Sequence, residues 1–304
     1  MANHSEISAP RARTRQSQLG ITLMVVAVLN FGAMEAIAKL LIADYPMPMI
    51  AWSRWGFHFL LCLPFFLRPR NLGYLRTRRP FLHTLRPLIL VTATFAFIAA
   101  LAEMQLAAAT ALVFTAPLLV TAFSPLLLSE VVGTRRRIAV AVGFCGVLVI
   151  LRPSSDFDNW IALLPLLAGG CYAAYHLITR HLSGTEPAMT QFFYVGLGGF
   201  LLTSLVVPFY WKSPTLAEWG LLALSGVFGL IAQWLSIKAF EAADASIVSP
   251  FIYTQIIWAT LFGFVLFGDL PDLWTIAGAS IVVASGIYIW SRERVRPARK
   301  SVAT

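Results

Sequence analysis

Glu35 and Lys39 stand four residues apart in a long apolar stretch near the start of the chain. On a helix this spacing places both side chains on one face, with the acid and the base in the order that favours an ion pair. A charge at the centre of a bilayer costs about 2.5–3.5 kcal/mol on insertion scales, so such a group normally faces protein or a water-filled cavity. Glu35 is therefore predicted either to bind a proton or a substrate amine, or to pair structurally with Lys39. Lys39 by itself favours the structural role, because a lysine near a helix end can extend to the interface.

The next apolar stretch carries Arg54 and His58, again four residues apart. A guanidinium is a planar, permanently charged donor that suits a carboxylate or a phosphate of a substrate. The alternative role for Arg54 is a permanent pair with Glu35 or Glu103. The two tryptophans beside it are typical of a lipid-interface belt.

A polar and aromatic stripe follows in the second half of the chain, formed by Tyr172, Tyr175 and His176. A histidine titrates near neutral pH and could relay a proton, although a hydrogen-bonded core histidine is the alternative. Neutral polar and aromatic groups complete what a cavity for a small polar organic molecule needs. These further candidates are Phe114, Thr115, Gln233, Trp234, Tyr253, Gln255 and Trp258.

Two prolines, Pro117 and Pro250, lie inside apolar stretches that must cross the bilayer. Each removes a helix hydrogen bond and frees a carbonyl, so each is predicted to be a hinge or a static kink. Glu130 closes its stretch at the helix C-terminus, the unfavourable end for an acid. It is predicted to form a structural ion pair, with residues 135–137, all arginine, as its partners.

No enzyme signature occurs in the chain. Neither HExxH nor GxSxG is present, and the five histidines are scattered without the spacing of metal ligands. The three cysteines fall in apolar segments and are interpreted as small core residues. We expect no enzymatic activity, no metal and no cofactor, with proton coupling as the open mechanistic possibility.

The elements that must position these residues are membrane helices. The 304 residues are 58% hydrophobic and 12% charged, with a mean hydropathy of +0.75, and a soluble domain carries about twice that charge. Ten apolar runs are long enough to span a bilayer, which predicts an all-α membrane protein with ten transmembrane helices. The runs are 20–42, 47–67, 86–103, 107–128, 136–151, 160–180, 190–210, 218–237, 246–267 and 273–290.

The distribution of positive charge predicts the orientation. Of the 23 Lys and Arg, 19 fall in the two tails or on one side of the ten runs, Arg86 included. Positive residues accumulate on the cytosolic side, so both termini are predicted to be cytosolic in a multi-pass protein of the cell inner membrane. Because the charge of +9 is spread over short loops, nucleic-acid binding is not expected.

The chain also looks duplicated. A shift of 139 positions aligns residues 107–130 with 246–269 and pairs Thr115 with Thr254, and a shift of 141 pairs Lys39 with Arg180 and Glu35 with His176. An odd number of spans per half makes the two halves inverted, a recurring plan of transporters. The predicted units are a tail at 1–18, a first five-helix repeat at 19–152, a second at 159–292 and a tail at 293–304.

An ordered set of loose motifs accompanies this plan, and with it the chain resembles the bacterial ten-helix members of the drug/metabolite transporter superfamily that have two EamA domains. The motifs are Phe31-Gly32, Lys39, Arg54, Ala111 to Pro117, Ser129-Glu130, Gly143, Gly146, Ser249-Pro250-Phe251 and Gly268-Asp269. The resemblance implies a cavity between the repeats, alternating access, and relatives that move amino acids, riboflavin or S-adenosylmethionine. Where many relatives have Trp-Gly-Ser, this chain has Phe31-Gly32-Ala33-Met34-Glu35, which puts substrate knowledge from relatives without the acid in doubt.

The function predicted is secondary transport of a small organic metabolite through the bilayer. The main hypothesis is export or exchange of an amino-acid-like or aromatic compound, and the alternative is uptake of a vitamin or cofactor such as riboflavin or S-adenosylmethionine. A passive channel and an intramembrane enzyme are the rival classes. Gly143, Gly146, Gly278 and Gly286 favour close helix packing, either within one half of the chain or in a dimer, and the protein is expected to be a monomer or a homodimer.

Overall fold

The computed structural model describes residues 8–128, 133–151, 159–182, 185–243 and 245–293, and within these ranges the regular structure is helical, with no strand. The predicted all-α class is confirmed. The helices are α1 (Ser8–Leu41), α2 (Met47–Phe66), α3 (Pro80–Glu103), α4 (Leu106–Val113), α5 (Thr115–Leu128), α6 (Thr134–Leu151), α7 (Leu163–Leu182), α8 (Ala188–Val206), α9 (Leu216–Ala242), α10 (Ala245–Val248), α11 (Gln255–Phe267) and α12 (Leu273–Glu293).

Eight helical segments in the described part of the chain are long and apolar enough to cross a bilayer. One of them joins α4 to α5, and another joins the 3₁₀ turn Ser249–Thr254 to α11. The two further segments that a count of ten requires are α2 and α6, with 20 and 18 residues. Each of these is also long enough to span with little tilt.

Helix–helix contacts repeat in pairs, as a duplication requires. When α1 to α6 are matched in order with α7 to α12, the contact of α1 with α9 has its counterpart in α3 with α7. In the same way α2 with α9 corresponds to α3 with α8, and α1 with α11 corresponds to α5 with α7. The pairs α2–α8 and α6–α12 correspond to themselves. The two repeats therefore pack mainly against each other, and their interface runs through the centre of the bundle.

Small residues allow the closest of these approaches. A Cβ on Gly278 of α12 would lie 2.6 Å from the carbonyl oxygen of Gly146 and 3.0 Å from the backbone nitrogen of Ile150, both in α6. This close packing occurs between the two halves of one chain, at the α6–α12 contact, and not within one half as one of the two predicted alternatives had it. Gly143 makes room for Leu118 of α5 in the same way.

Hydrogen bonds between loops occur beyond both ends of α2. At one end, Glu186 in the α7–α8 loop accepts hydrogen bonds from Thr77 Oγ1 at 3.0 Å and from the Arg78 backbone N–H at 2.8 Å. At the opposite end, Lys212 Nζ donates to the Asp44 carbonyl oxygen at 2.6 Å. The first contact joins the α2–α3 loop to the α7–α8 loop, and the second joins the α1–α2 loop to the α8–α9 loop. The two repeats make these contacts equivalent, because the α2–α3 loop matches the α8–α9 loop and the α1–α2 loop matches the α7–α8 loop.

Several helix boundaries differ from the sequence prediction. α1 begins at Ser8 and not at residue 20, and the run predicted at 86–103 belongs to a helix that begins at Pro80, where proline is preorganised for the first helical turn. Arg86, assigned to a loop from its charge, therefore lies inside α3. The fourth and ninth runs, predicted to have a hinge or a kink at Pro117 and Pro250, are interrupted at Phe114 and over Ser249–Thr254.

The same hydrogen bond marks both interruptions. Thr115 Oγ1 donates to the Leu112 carbonyl oxygen at 2.9 Å, and Thr254 Oγ1 donates to the Phe251 carbonyl oxygen at 2.6 Å. Both pairs of residues are related by the shift of 139. A threonine hydroxyl that binds a carbonyl within its own turn competes with the helical pattern and bends the helix. Pro117 and Pro250, each within five residues of its threonine, remove one further donor.

Candidate functional site

Glu35 lies in α1 with 8% of its surface exposed, and its partner in the structure is an amide. Gln255 Nε2 donates to Oε1 at 3.1 Å and to Oε2 at 3.2 Å. Gln255 is the first residue of α11, so the interruption before this helix sets an amide and a helix N-terminus beside the carboxylate. A helix N-terminus carries partial positive charge and favours an acid.

Lys39 does not pair with Glu35, so the structural pair considered for these two residues is not formed. Its Nζ lies 2.7 Å from Asp269 Oδ2, donates to the Met104 carbonyl oxygen at 3.0 Å, and lies 4.8 Å from the centroid of the Phe267 ring. Asp269 is held there because Gly268 ends α11 in the left-handed conformation, with φ 71°. The long lysine side chain thus extends along α1 to an acid that follows the end of another helix.

Arg54 in α2 is half-buried and close enough to Glu35 and Tyr172 for electrostatic interaction. Within the described residues its guanidinium has no hydrogen bond and no ion pair, which differs from the permanent pair with Glu35 or Glu103 that was the alternative. Glu103 is exposed at the end of α3. The five N–H donors of Arg54 are therefore available to a ligand.

These residues form what we call the central polar cluster: Glu35, Arg54, Thr110, Tyr172 and Gln255. They come from α1, α2, α4, α7 and α11, and thus from both repeats. Thr110 lies next to the carboxylate of Glu35, and Tyr172 lies deep in the bundle. Of the five, Thr110 was not predicted from the sequence. A threonine among the many small residues of α4 gives no distinguishing signal.

A second polar group continues along the same face of α7. The Arg86 guanidinium lies 4.7 Å from the ring centroid of Tyr175, and its Nη2 donates to Thr179 Oγ1 at 2.9 Å. His176 lies on the same face of α7, with its ring centroid 5.4 Å from that of Tyr175, and it interacts with the charge of Arg86. We call Arg86, Tyr175, His176 and Thr179 the α3–α7 cluster. Arg86 and Thr179 were missed because one was counted as a loop charge and the other was read as an ordinary helix residue.

Several predicted residues lie elsewhere. His58 packs on α8, with its ring centroid 5.1 Å from that of Phe192. Phe114 and Tyr253 contact each other at 5.0 Å in a core formed with α6 and α12. Their roles in substrate binding stay predictions, and the structure gives both rings packing partners.

The aromatic residues of α9 and α11 also have packing partners. Trp258 packs on Gly32 of α1, and Trp234 contacts Phe65 and the ammonium of Lys238. Gln233 is half-buried on α9. Both tryptophans thus have packing partners, and their roles in substrate binding stay predictions.

The interrupted fourth span contributes packing at its break. Thr115 is buried against Gly169 of α7, whose missing side chain leaves room for the hydroxyl. Pro117 lies in the first turn of α5, and Pro250 lies in the 3₁₀ turn before α11. Glu130, predicted to form an ion pair, lies outside the described residues.

An apolar groove of about 680 Å³ runs along α11 and α12. Its lining includes Tyr253, Thr254 and Thr275 but no member of the central polar cluster. The polar chemistry therefore lies inside the bundle, at the contact between the repeats, and this groove is separate from it.

The central polar cluster combines an acid with neutral partners, a cation with free donors, and an aromatic ring. Such a set can bind a small molecule that carries both polar edges and an apolar surface. A search of the described residues finds no group of three His, Cys, Asp or Glu side chains placed to hold a metal ion.

Comparisons with known proteins show the family of the chain. A model of the EamA-like transporter family matches residues 18–152 and 159–291. The chain is 32% identical to a riboflavin transporter of Rhizobium johnstonii over 91% of this chain and 93% of that protein, and 32% identical to a riboflavin transporter of Vibrio cholerae over 92% and 96%. It is 26% identical to an S-adenosylmethionine uptake transporter of Rickettsia bellii over 93% and 97%. A solved crystal structure matches 94% of this chain and all of its own, with a TM-score of 0.64 at 18% identity, which supports the fold.

Proposed function

Because the chain belongs to the EamA-like transporter family of the drug/metabolite transporter superfamily, we propose that it takes up a vitamin or cofactor, with riboflavin as the first candidate. The chain is a multi-pass membrane transporter of a small molecule, and its family consists of transporters rather than enzymes. The main hypothesis from sequence was export of an amino-acid-like compound. The relatives favour the alternative, uptake, because those compared above are named for riboflavin or for S-adenosylmethionine uptake.

The observation that carries the proposal is the composition of the central polar cluster. The amide of Gln255 and the carboxyl of Glu35 stand side by side at 3.1 Å, and together they offer donors and acceptors. The pyrimidine-dione edge of a flavin presents a complementary row of carbonyls and N–H. The ring of Tyr172 supplies a surface on which a planar aromatic system can stack.

The opposite charges in this cluster favour S-adenosylmethionine as the second candidate. Arg54 has free donors for a carboxylate, and Glu35 has no cationic partner in direct contact among the described residues. An amino-acid group carries both complementary charges. A substrate of this kind would bridge Arg54 and Glu35. Riboflavin would bind Glu35 and Gln255 instead, and Arg54 would then contact solvent or the ribityl hydroxyls of riboflavin.

We propose that transport proceeds by alternating access, with Glu35 exchanging a proton as the site changes sides. The paired helix contacts support this proposal, because a symmetric exchange of contacts between two repeats can open either side in turn. Both termini are proposed to face the cytosol in the inner membrane of a bacterium. A periplasm-only reporter fused after Lys212 should be active, and one fused after Arg137 should be inactive.

Uptake into proteoliposomes tests the substrate. Vesicles that contain the purified chain should accumulate labelled riboflavin, and internal unlabelled riboflavin should accelerate the uptake, because a carrier returns faster when loaded. Labelled S-adenosylmethionine is the parallel arm, and protein-free vesicles are the control. If neither compound enters faster than in the control, uptake of these substrates is refuted. If a compound enters without saturation or acceleration, the carrier mechanism is refuted.

A further inference from the structure

Arg86 is the most deeply buried charged residue in the described part of the chain, with 1% of its surface exposed. It lies two turns inside α3, which has the length and hydropathy of a membrane span. The described carboxylates do not form an ion pair with it. A buried charge without a counter-ion is strongly unfavourable, so a buried arginine of this kind is expected to have a functional role that offsets its cost.

The surroundings of Arg86 satisfy only part of its guanidinium. Nη2 donates to Thr179 Oγ1 at 2.9 Å, and the ring of Tyr175 lies under the planar group at 4.7 Å. Nε and Nη1 are buried and have no hydrogen-bond partner. Buried donors are normally paired, so two unpaired nitrogen atoms on one cation mark the place where an acceptor is expected.

The acid that faces the neighbouring His83 is engaged elsewhere. Glu186 binds Thr77 Oγ1 and the Arg78 N–H through Oε1, and its Oε2 lies 3.9 Å from His83 Nε2. His83 stands three residues before Arg86 and stacks on Tyr194 at 4.8 Å. Glu186 thus holds a loop and faces the histidine, while the donors of Arg86 stay unpaired.

Polar side chains on one face of α7 connect the central polar cluster with this cation. Tyr172, Tyr175 and Thr179 lie on this face and span seven residues, which is about 10 Å along the helix. Tyr172 is close enough to Glu35 and Arg54 for electrostatic interaction, and Tyr175 lies under Arg86. His176 lies on the same face and interacts with the Arg86 charge. Arg86 is therefore about one turn of α7 away from the central polar cluster.

We propose that Arg86 is a second binding site in the transport path, which takes an oxyanion, the carboxylate or phosphate group of a substrate. A guanidinium is the side chain best suited to such a group, because its planar donors match two oxygen atoms. Tyr175 and Thr179 position the guanidinium, and the oxyanion supplies the missing acceptors and the missing charge. The identification of the ligand as cargo rests on the proposed transport function, but binding itself does not.

Thermal unfolding of the purified full-length chain with small probes tests this site without a transported substrate. Benzoate and phenyl phosphate are the two oxyanions, and benzamide is the neutral match for benzoate. A ligand that binds the folded state at about ten times its Kd raises the melting temperature by about 2 °C for a chain of this size. At constant ionic strength we expect at least one oxyanion, and not benzamide, to give this rise, and the stronger of the two identifies the preferred group.

The variants separate the site from a general salt effect. Arg86→Gln should abolish the rise, Arg86→Lys should weaken it, and Thr179→Val should reduce it while the cation remains. Arg70→Gln, which removes an exposed arginine, should leave it unchanged. The proposal is overturned if neither oxyanion stabilises the protein, if benzamide does so equally, or if the rise survives in Arg86→Gln. If Arg86→Gln does not fold, Thr179→Val and Arg86→Lys decide, because an unchanged rise in both overturns the proposal.

These outcomes are independent of the riboflavin and S-adenosylmethionine assays. Failure of both uptake assays with a positive oxyanion result would refute the proposed substrates and leave the site. Riboflavin uptake without an oxyanion effect would leave the proposed function and refute the site.

Discussion

Glu35 and Lys39 are neighbours on one face of α1, but their surroundings differ. Lys39 has a carboxylate at 2.7 Å, a backbone carbonyl at 3.0 Å and an aromatic ring, all outside α1. Glu35 has one neutral amide, a nearby threonine and an arginine beyond direct contact. The charge of Lys39 is therefore compensated by groups of the protein, whereas the carboxylate of Glu35 is left available to a proton or a ligand.

Whether a charged side chain has a counter-ion distinguishes structural from functional charges better than its position along the membrane span does. A compensated ion pair can hold α1 against the end of α11 throughout a transport cycle. A carboxylate with only neutral hydrogen bonds can gain or lose a proton, or meet a cationic ligand, without breaking an ion pair first. Variants at the two places should consequently change different quantities, namely transport at Glu35 and stability at Lys39.

The largest effect is expected for Glu35→Gln, which keeps the shape and one acceptor oxygen for Gln255 but removes the ionisable group. We expect uptake in proteoliposomes to fall by about a hundredfold or more, equivalent to about 2.7 kcal/mol. The remaining uptake should no longer change with external pH, because the proton-exchanging group is gone. Glu35→Asp is the matched control and should keep the pH dependence. Wild-type uptake with unchanged pH dependence in Glu35→Gln would refute the coupling role.

Arg54→Gln should give the next largest change and should act on affinity. A hydrogen bond to a charged group contributes about 1.5–3 kcal/mol, so KM for a carboxylate-bearing substrate should rise at least about tenfold. Arg54→Lys keeps the charge without the planar donors, so its KM should lie between those of the wild type and of Arg54→Gln. Riboflavin, which has no carboxylate, should be much less affected. Equal losses for riboflavin and S-adenosylmethionine would show that Arg54 acts on the fold instead of the substrate.

The overall fold was accessible from sequence because a bilayer imposes strong constraints. Apolar runs long enough to cross it and two nearby internal shifts indicated the helical class and the two repeats. The interruptions at Phe114 and before Gln255 were anticipated only as a hinge or a kink at Pro117 and Pro250. A proline announces a missing donor, but the threonine hydroxyl that binds its own turn becomes visible only with coordinates.

The candidate site was accessible only in part. Glu35, Arg54, Tyr172 and Gln255 were predicted because charged, amide and phenolic groups stand out in apolar helices. Their partners were not, since Gln255 meets Glu35 across 220 positions and Lys39 meets Asp269 across 230. Arg86 was assigned to a loop although it lies inside α3. Counting positive charge for topology treats every arginine at a span boundary as a loop residue.

Asp269→Asn tests the compensated charge. The pair is partly exposed, with 14% and 31% of the two side chains accessible, so we expect a loss of about 1 kcal/mol, between the values for surface and for buried pairs. Thermal unfolding in detergent should show the loss, and uptake per folded molecule should stay at the wild-type value. The double variant Lys39→Met with Asp269→Leu should recover stability because no charge is left alone. A transport defect in Asp269→Asn would place this pair in the cycle and remove the contrast with Glu35.

The smallest effect is expected for Phe267→Leu, which removes the ring 4.8 Å from the Lys39 ammonium and keeps an apolar side chain. A cation–π contact at a partly exposed site contributes about 0.5–1 kcal/mol, and leucine recovers part of the lost packing. The melting temperature should therefore fall by less than in Asp269→Asn, and Phe267→Tyr should leave it nearly unchanged. A fall as large as that of Asp269→Asn would mean that the ring, and not the carboxylate, keeps Lys39 away from Glu35. In that case Glu35 in Phe267→Leu should gain the lysine as a partner, and its transport rate should drop with the stability.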